Sequence, residues 1–161
     1  MNFIIDAFNL GFKLASAARL LKRGDTELAI KEILFFLQGR CTARDRVIAV
    51  FDGQRGYYPG FSGFHPIEIK FSQAPQKADD IIRNFLRGCA NAGSWTLVSS
   101  DHEIINTAVA MGAGVIKSEN FIKSKPATTK KQTGHNTEYQ QKYDAQNIDM
   151  EYWLKEFGKD K

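Results

Sequence analysis

The sequence predicts a three-layer α/β/α fold built around a central, mainly parallel sheet. Two observations carry this reading. Short apolar runs without alternation, the pattern of strands buried on both faces, recur along the chain, and segments of helical periodicity separate them. Parallel neighbours need crossover connections, and helices between strands supply them. At 161 residues, 43% hydrophobic and 12% aromatic, the chain has material for one substantial core.

Phe3-Ile4-Ile5 is the first buried strand, ended by Asp6. Apolar residues then recur at helical spacing over 14–21 and 27–37, with Gly24 as a stop and Asp25-Thr26 as a cap, so a helical hairpin is expected. Arg46 to Phe51 reads as a second strand stopped by Asp52 and turned by Gly53. Residues 56–63 mix Gly60 and Pro59 with Tyr57, Tyr58 and Phe61, a loop composition, and Pro66 to Phe71 alternates like a half-exposed edge strand. Lys77 to Ala90 reads as a helix with the stripe Ala78, Ile82, Phe85 and Cys89. Trp95 to Val98 is the next strand, Glu103 to Met111 its helix, and Gly114 to Ile116 a short last strand. From Lys117 to His135 the character changes, with five lysines against one glutamate and no periodic apolar face. The expected organisation is therefore a domain over 1–117 and a basic, partly flexible extension over 118–161. A short helix is expected around Tyr152, Trp153 and Phe157.

The net charge of +4, from 22 basic and 18 acidic residues, suits a polyanionic partner without specifying one. Cys41 and Cys89 lack metal or redox spacing and are too few for a disulfide scaffold, as expected of a reduced, cytoplasmic chain. No basic segment opens the chain and no apolar run approaches the roughly 20 residues of a membrane helix, so no membrane partner is expected. No GxGxxG or Walker sequence follows a strand, and Phe8 stands where a dehalogenase-type phosphatase needs a second acid.

In an open parallel sheet the carboxyl ends of the strands face one crevice, where ligands bind. Asp6, Asp52 and Asp101 end three strands, and Asp79 and Asp80 open the helix between the last two. One Asp at a strand end is more often a turn or cap residue than a ligand; three together shift that reading. Clustered carboxylates raise one another's pKa unless a cation neutralises them, and all-oxygen ligation selects Mg²⁺ or Mn²⁺. Such ions suit phosphodiester hydrolysis. Helical geometry sets Asp79 at the edge of the apolar stripe, as a ligand, and Asp80 away from it, as an outer contributor. Negative charge is also favourable at a helix start, the competing reading for both. Asn9 is positioned to orient Asp6, a water or a phosphate through its amide, or to cap a helix. Ser99 and Ser100 bond either phosphate or the loop backbone.

The strings Ile4-Ile5-Asp6-Ala7-Phe8-Asn9-Leu10, Val50-Phe51-Asp52-Gly53, Lys77-Ala78-Asp79-Asp80-Ile81-Ile82 and Val98-Ser99-Ser100-Asp101 together resemble the NYN branch of PIN-like nucleases, most closely its YacP-like members. Ala7 stands where that family commonly has Gly, and Lys77 where it commonly has Thr. The resemblance implies a PIN-like domain that binds Mg²⁺ or Mn²⁺ and cleaves RNA, with some relatives acting on messenger RNA at the ribosome. It implies Asp6, Asp79 and Asp101 as the acidic centre, Asn9 as its amide and Asp52 as a further acid. The expected function is a metal-dependent endoribonuclease acting on RNA, single-stranded or messenger. A noncatalytic RNA-binding protein of the same fold and a toxin-type PIN ribonuclease are the alternatives.

A polyanionic substrate must also be held along its backbone. Arg44, Arg46, Arg55, Lys77, Arg83 and Lys117 are the basic candidates, while Tyr57 and Tyr58 either stack on unpaired bases or fill the core.

Overall fold

The computed structural model describes residues 1–53 and 63–124. These residues all belong to the first of two units into which the chain divides at Thr128. The strands β1 (Asn2–Asp6), β2 (Arg46–Phe51), β3 (Ile67–Phe71), β4 (Trp95–Val98) and β5 (Gly114–Ile116) form one sheet in the order β3-β2-β1-β4-β5. Every pairing is parallel, a stricter arrangement than the mainly parallel sheet expected. Around it lie α1 (Ala7–Lys13), α2 (Ala15–Arg23), α3 (Thr26–Arg40), α4 (Ala78–Gly88), α5 (His102–Ala110) and α6 (Ser118–Lys123).

The central strand explains why its sequence does not alternate. Phe3 and Ile5 face a core shared with Leu10, Ala17, Ile33, Leu34, Leu37 and Phe121, which come from α1, α2, α3 and α6. Ile4 faces the opposite core, with Ile82 and Leu86 of α4 and Ile104 and Ala108 of α5. Both faces are covered, so both residue parities must be apolar. Each fully buried Ile or Leu contributes about 1.5–3 kcal/mol relative to exposure.

The expected helical hairpin is α2 and α3. Gly24 ends α2 at φ 82°, a left-handed position, and its N–H donates to Leu20 and Leu21 carbonyls. The edge strand β3 lies at the margin beside β2, as its alternation suggests. Two helices go beyond the sequence expectation. Asp6 ends β1 and caps α1 at once, so no loop announces α1, and the extended Leu14 breaks phase between α1 and α2. The basic, partly flexible extension expected from 118 opens with α6, where the sequence predicts no helix. Phe121 of α6 is buried against Phe3 and Phe36, and the Arg40 guanidinium donates to the carbonyls of Phe121 and Ile122. The expected terminal helix lies outside the described residues.

From β1 the chain steps outward to β2 and β3, then returns to the other side of β1 for β4 and β5. The direction of winding reverses between β1 and β4, the place where open parallel sheets bind ligands, beyond the strands' carboxyl ends.

Candidate functional site

Each acid singled out in the sequence sits at the carboxyl edge of the sheet or on the helix start beside it, and most of them also hold a helix in place. Asp6 is buried, with 8% of its surface exposed. One of its oxygens accepts from the Asn9 backbone N–H at 3.2 Å, capping α1, and the other from the Ser99 hydroxyl at 3.1 Å. The Asp101 carboxylate caps α5, accepting from the N–H groups of Glu103 and Ile104 at 2.8 and 3.3 Å. Its own N–H donates to Ser99 Oγ at 3.1 Å, so Ser99, fully buried, bridges Asp6 and the backbone of Asp101. Asp52 reaches across the chain: its Oδ1 accepts from the Ala78 N–H, at the start of α4, at 2.7 Å and from the Ser72 hydroxyl at 3.2 Å. Asp80 turns back on α4, accepting from the Lys77 N–H at 3.0 Å. The cap reading thus holds for Asp6, Asp52, Asp80 and Asp101. Among the described residues, nothing hydrogen-bonds to the carboxylate of Asp79.

Gly53 secures the Asp52 corner. A Cβ at this position would collide with the Ser72 carbonyl oxygen, and the Gly53 N–H donates to Ser72 Oγ at 2.9 Å. A side chain here would push β3 away and displace Ser72 from Asp52.

The acids sense one another. Burial, then the charges of Asp79 and Asp52, push the Asp6 carboxyl up to about 6, against the hydrogen bonds from Asn9 and Ser99. Asp79 is raised by burial first and then by Asp101, with Asp52 and Asp80 adding to it and Arg83 opposing. Among the described residues, no three His, Cys, Asp or Glu side chains stand close enough to form a ready-made ion cage. The donor set nevertheless fits a hard divalent cation in kind: every candidate ligand is a carboxylate oxygen. Carboxyls that neighbouring charges raise, as Asp6 and Asp79 are raised, are ones a bound cation relieves.

A second network, not anticipated from the sequence, borders the first. Asn9 Oδ1 accepts from the Ser100 N–H and from the Ser118 hydroxyl, each at 2.9 Å. Ser100 Oγ accepts from the Ser118 N–H at 3.1 Å and donates to Glu119 at 2.6 Å. Glu119 pairs with Lys13 of α1 at 3.0 Å. The Ser100 hydroxyl first, then its own N–H and Lys13, hold the Glu119 carboxyl down at about 2. Asn9 is therefore a tie between α1, the loop after β4 and the start of α6 rather than a helix cap. Ser72, Ser118 and Glu119 had no sequence signal of their own, since each gains its role from a partner far along the chain.

The basic candidates divide by location. Lys77 precedes α4 and Lys117 precedes α6, both exposed and at the acidic edge. Arg83 joins α4 to α5 through Glu103 at 2.9 Å and lies near enough to Asp79 to lower its pKa. The structure does not bring Arg44 and Arg46 to this edge. They lie at the amino end of β2, level with Asn2, and Arg46 stacks over the Trp95 ring at 5.2 Å. Arg55, Tyr57 and Tyr58 lie outside the described residues.

Comparison with known proteins agrees with this architecture. The profile of the YacP-like NYN domain matches residues 3–158. The crystal structure of Rae1 (YacP) from Bacillus subtilis superposes with a TM-score of 0.61 at 17% identity, covering 76% of this chain and 72% of that one. A tryptophan-to-leucine mutant of Rae1 superposes at 0.60 with 19% identity over the same shares. No curated protein matches the chain.

Proposed function

The chain belongs to the YacP-like NYN domain family, a nuclease-like group of PIN type, and from that premise we propose that it is a metal-dependent endoribonuclease hydrolysing RNA phosphodiester bonds. The observation that best supports this reading is the gathering of Asp6, Asp52, Asp79 and Asp101 at the carboxyl edge of the sheet, close enough that neighbouring carboxylates help to raise Asp6 and Asp79. Asp6, Asp79 and Asp101 are the ligands in this proposal, with Asp52 and Asp80 supporting them. Mg²⁺ or Mn²⁺ held there supplies an activated water and neutralises charge at the scissile phosphate.

The remaining work falls to the chain itself. Asp6 must lose its proton to ligate, so proton and cation compete for it and metal affinity falls as pH drops below about 6. Ser99 holds Asp6 and the Asp101 backbone in register. Asn9, with its carbonyl end occupied, offers amide protons to a phosphate oxygen. Lys77, Arg83 and Lys117 anchor the strand on either side by charge. RNA is the substrate in this reading, taken as an unpaired strand such as messenger RNA presents.

The test is cleavage of end-labelled RNA by the purified chain with Mg²⁺, Mn²⁺ or a chelator, alongside Asp6→Asn and Asp79→Asn. The expected result is metal-dependent internal cleavage reduced by about 100-fold or more in each variant, the scale of losing one transition-state charge contact. Equal cleavage by wild type and both variants would dismiss the proposed centre.

A further inference from the structure

We propose that Glu119 is a positioning residue for the reaction above, acting through Ser100 and Ser118 to fix which way the Asn9 amide faces; the inference rests on the endoribonuclease reading. An amide has two ends of opposite character, and its neighbours decide its orientation. The Ser100 backbone N–H can only donate, and it meets Asn9 at 2.9 Å, as does the Ser118 hydroxyl. A flipped amide would set its NH₂ against that N–H, donor facing donor. The carbonyl end is therefore pinned and the NH₂ turned the other way.

Glu119 keeps both donors in place. The Ser100 hydroxyl has one proton, and Glu119 takes it at 2.6 Å, which leaves the oxygen's lone pairs to the Ser118 N–H at 3.1 Å. Ser118 is fully buried, and its hydroxyl is thereby held against Asn9. Glu119 is itself held by Lys13 at 3.0 Å. Lys13 lies four residues after Asn9, on the same face of α1, so the circuit closes on the helix where it began. The 2.6 Å bond to the Glu119 carboxylate is charge-assisted, the strong kind, whereas the Lys13 pair is exposed on both sides and adds little.

The experiment uses the full chain and two readouts. In Glu119→Ala the side-chain amide resonances of Asn9, assigned by their loss in Asn9→Asp, shift; in Glu119→Gln, which keeps an oxygen for the Ser100 proton, they stay near their wild-type positions. In RNA cleavage, Glu119→Ala lowers kcat by about tenfold with KM unchanged, the scale of losing an outer contact that orients a site group. Glu119→Gln recovers most of that loss, and Glu119→Ala adds nothing in an Asn9→Ala background. Unmoved Asn9 resonances in Glu119→Ala, or losses that add in the double variant, overturn the proposal. Should the wild type cleave no RNA, the functional reading fails separately, and the amide resonances alone decide whether Glu119 orients Asn9.

Discussion

Replacing Asp6 by Asn should make the metal-free protein more stable at neutral pH, by an amount that follows from the structure. Asp6 rises from 3.8 to about 6 on folding. At 1.36 kcal/mol per unit, this shift corresponds to about 3 kcal/mol. Between the two values the native state binds the proton and the unfolded chain does not. The stabilisation is thus fully present below 3.8 and lost as pH rises through 6. At pH 7.5 the ionised, buried carboxylate therefore costs about 3 kcal/mol that a neutral amide does not.

Asn keeps the cap on the Asn9 N–H, because Asn and Asp cap equally well. It disturbs Ser99, however, whose proton now goes to Asp6 while its oxygen accepts from the Asp101 N–H. Facing an amide NH₂ instead, the buried hydroxyl proton loses its acceptor, at about 1 kcal/mol. The net expectation is stabilisation of about 2 kcal/mol at pH 7.5 and about zero at pH 4.5, where wild-type Asp6 is mostly protonated. Urea unfolding in chelator at the two pH values measures both numbers. Adding Mg²⁺ should narrow the gap at pH 7.5, since a bound cation favours only the wild type. A variant less stable than wild type at pH 7.5, or a difference that does not change with pH, would refute the reasoning.

Three other predictions follow from the same geometry. Asp52→Ala removes the acceptor for the Ala78 N–H and the Ser72 hydroxyl, and should cost about 1–2 kcal/mol in urea unfolding, with faster hydrogen exchange at Ala78. Phe121→Ala leaves a cavity between α6 and the sheet and should cost about 3–4 kcal/mol; a loss below 1 kcal/mol would mean that α6 is not docked by that ring. For RNA binding followed by fluorescence anisotropy, Lys77→Ala and Lys117→Ala should each flatten the slope of log affinity against log salt by about 0.7, while Arg44→Ala leaves it unchanged. An Arg44 effect as large as that of Lys117 would place RNA on the opposite edge of the sheet.

The framework was legible because burial on both faces leaves a plain mark: Ile4 and Ile5, Val47 to Phe51, and Leu97 and Val98 are continuous apolar runs, and each is a strand. The acids were legible because a strand's end is visible in its sequence. Two helices were not. Asp6 leaves no spacer before α1, and α6 is too short to display a period, with Phe121 its one large buried side chain. The edge on which Arg44 and Arg46 lie follows from strand direction alone, since a residue that precedes a parallel strand sits away from the strand's carboxyl end. Ser72 and Glu119 were illegible for another reason. A hydroxyl or a carboxylate says nothing by itself about which distant segment it will meet, and both are defined by contacts across the sheet edge.

The order of the strands also has a bearing on synthesis. The middle strand is made first and gains its neighbours at different times: one side is complete at Phe51, the other only at Val98, and the hydroxyl and carboxylate that brace Asn9 arrive later still, at Ser118 and Glu119. A nascent polypeptide that has emerged only through Phe51 can pair one side of β1 but lacks Asp79 and Asp101, and one that stops before Ser118 has all five acids without the residues that brace Asn9. Completion of the acidic edge and its bracing is thus coupled to nearly complete translation of the domain, as expected when the longest loop closures are left to the end.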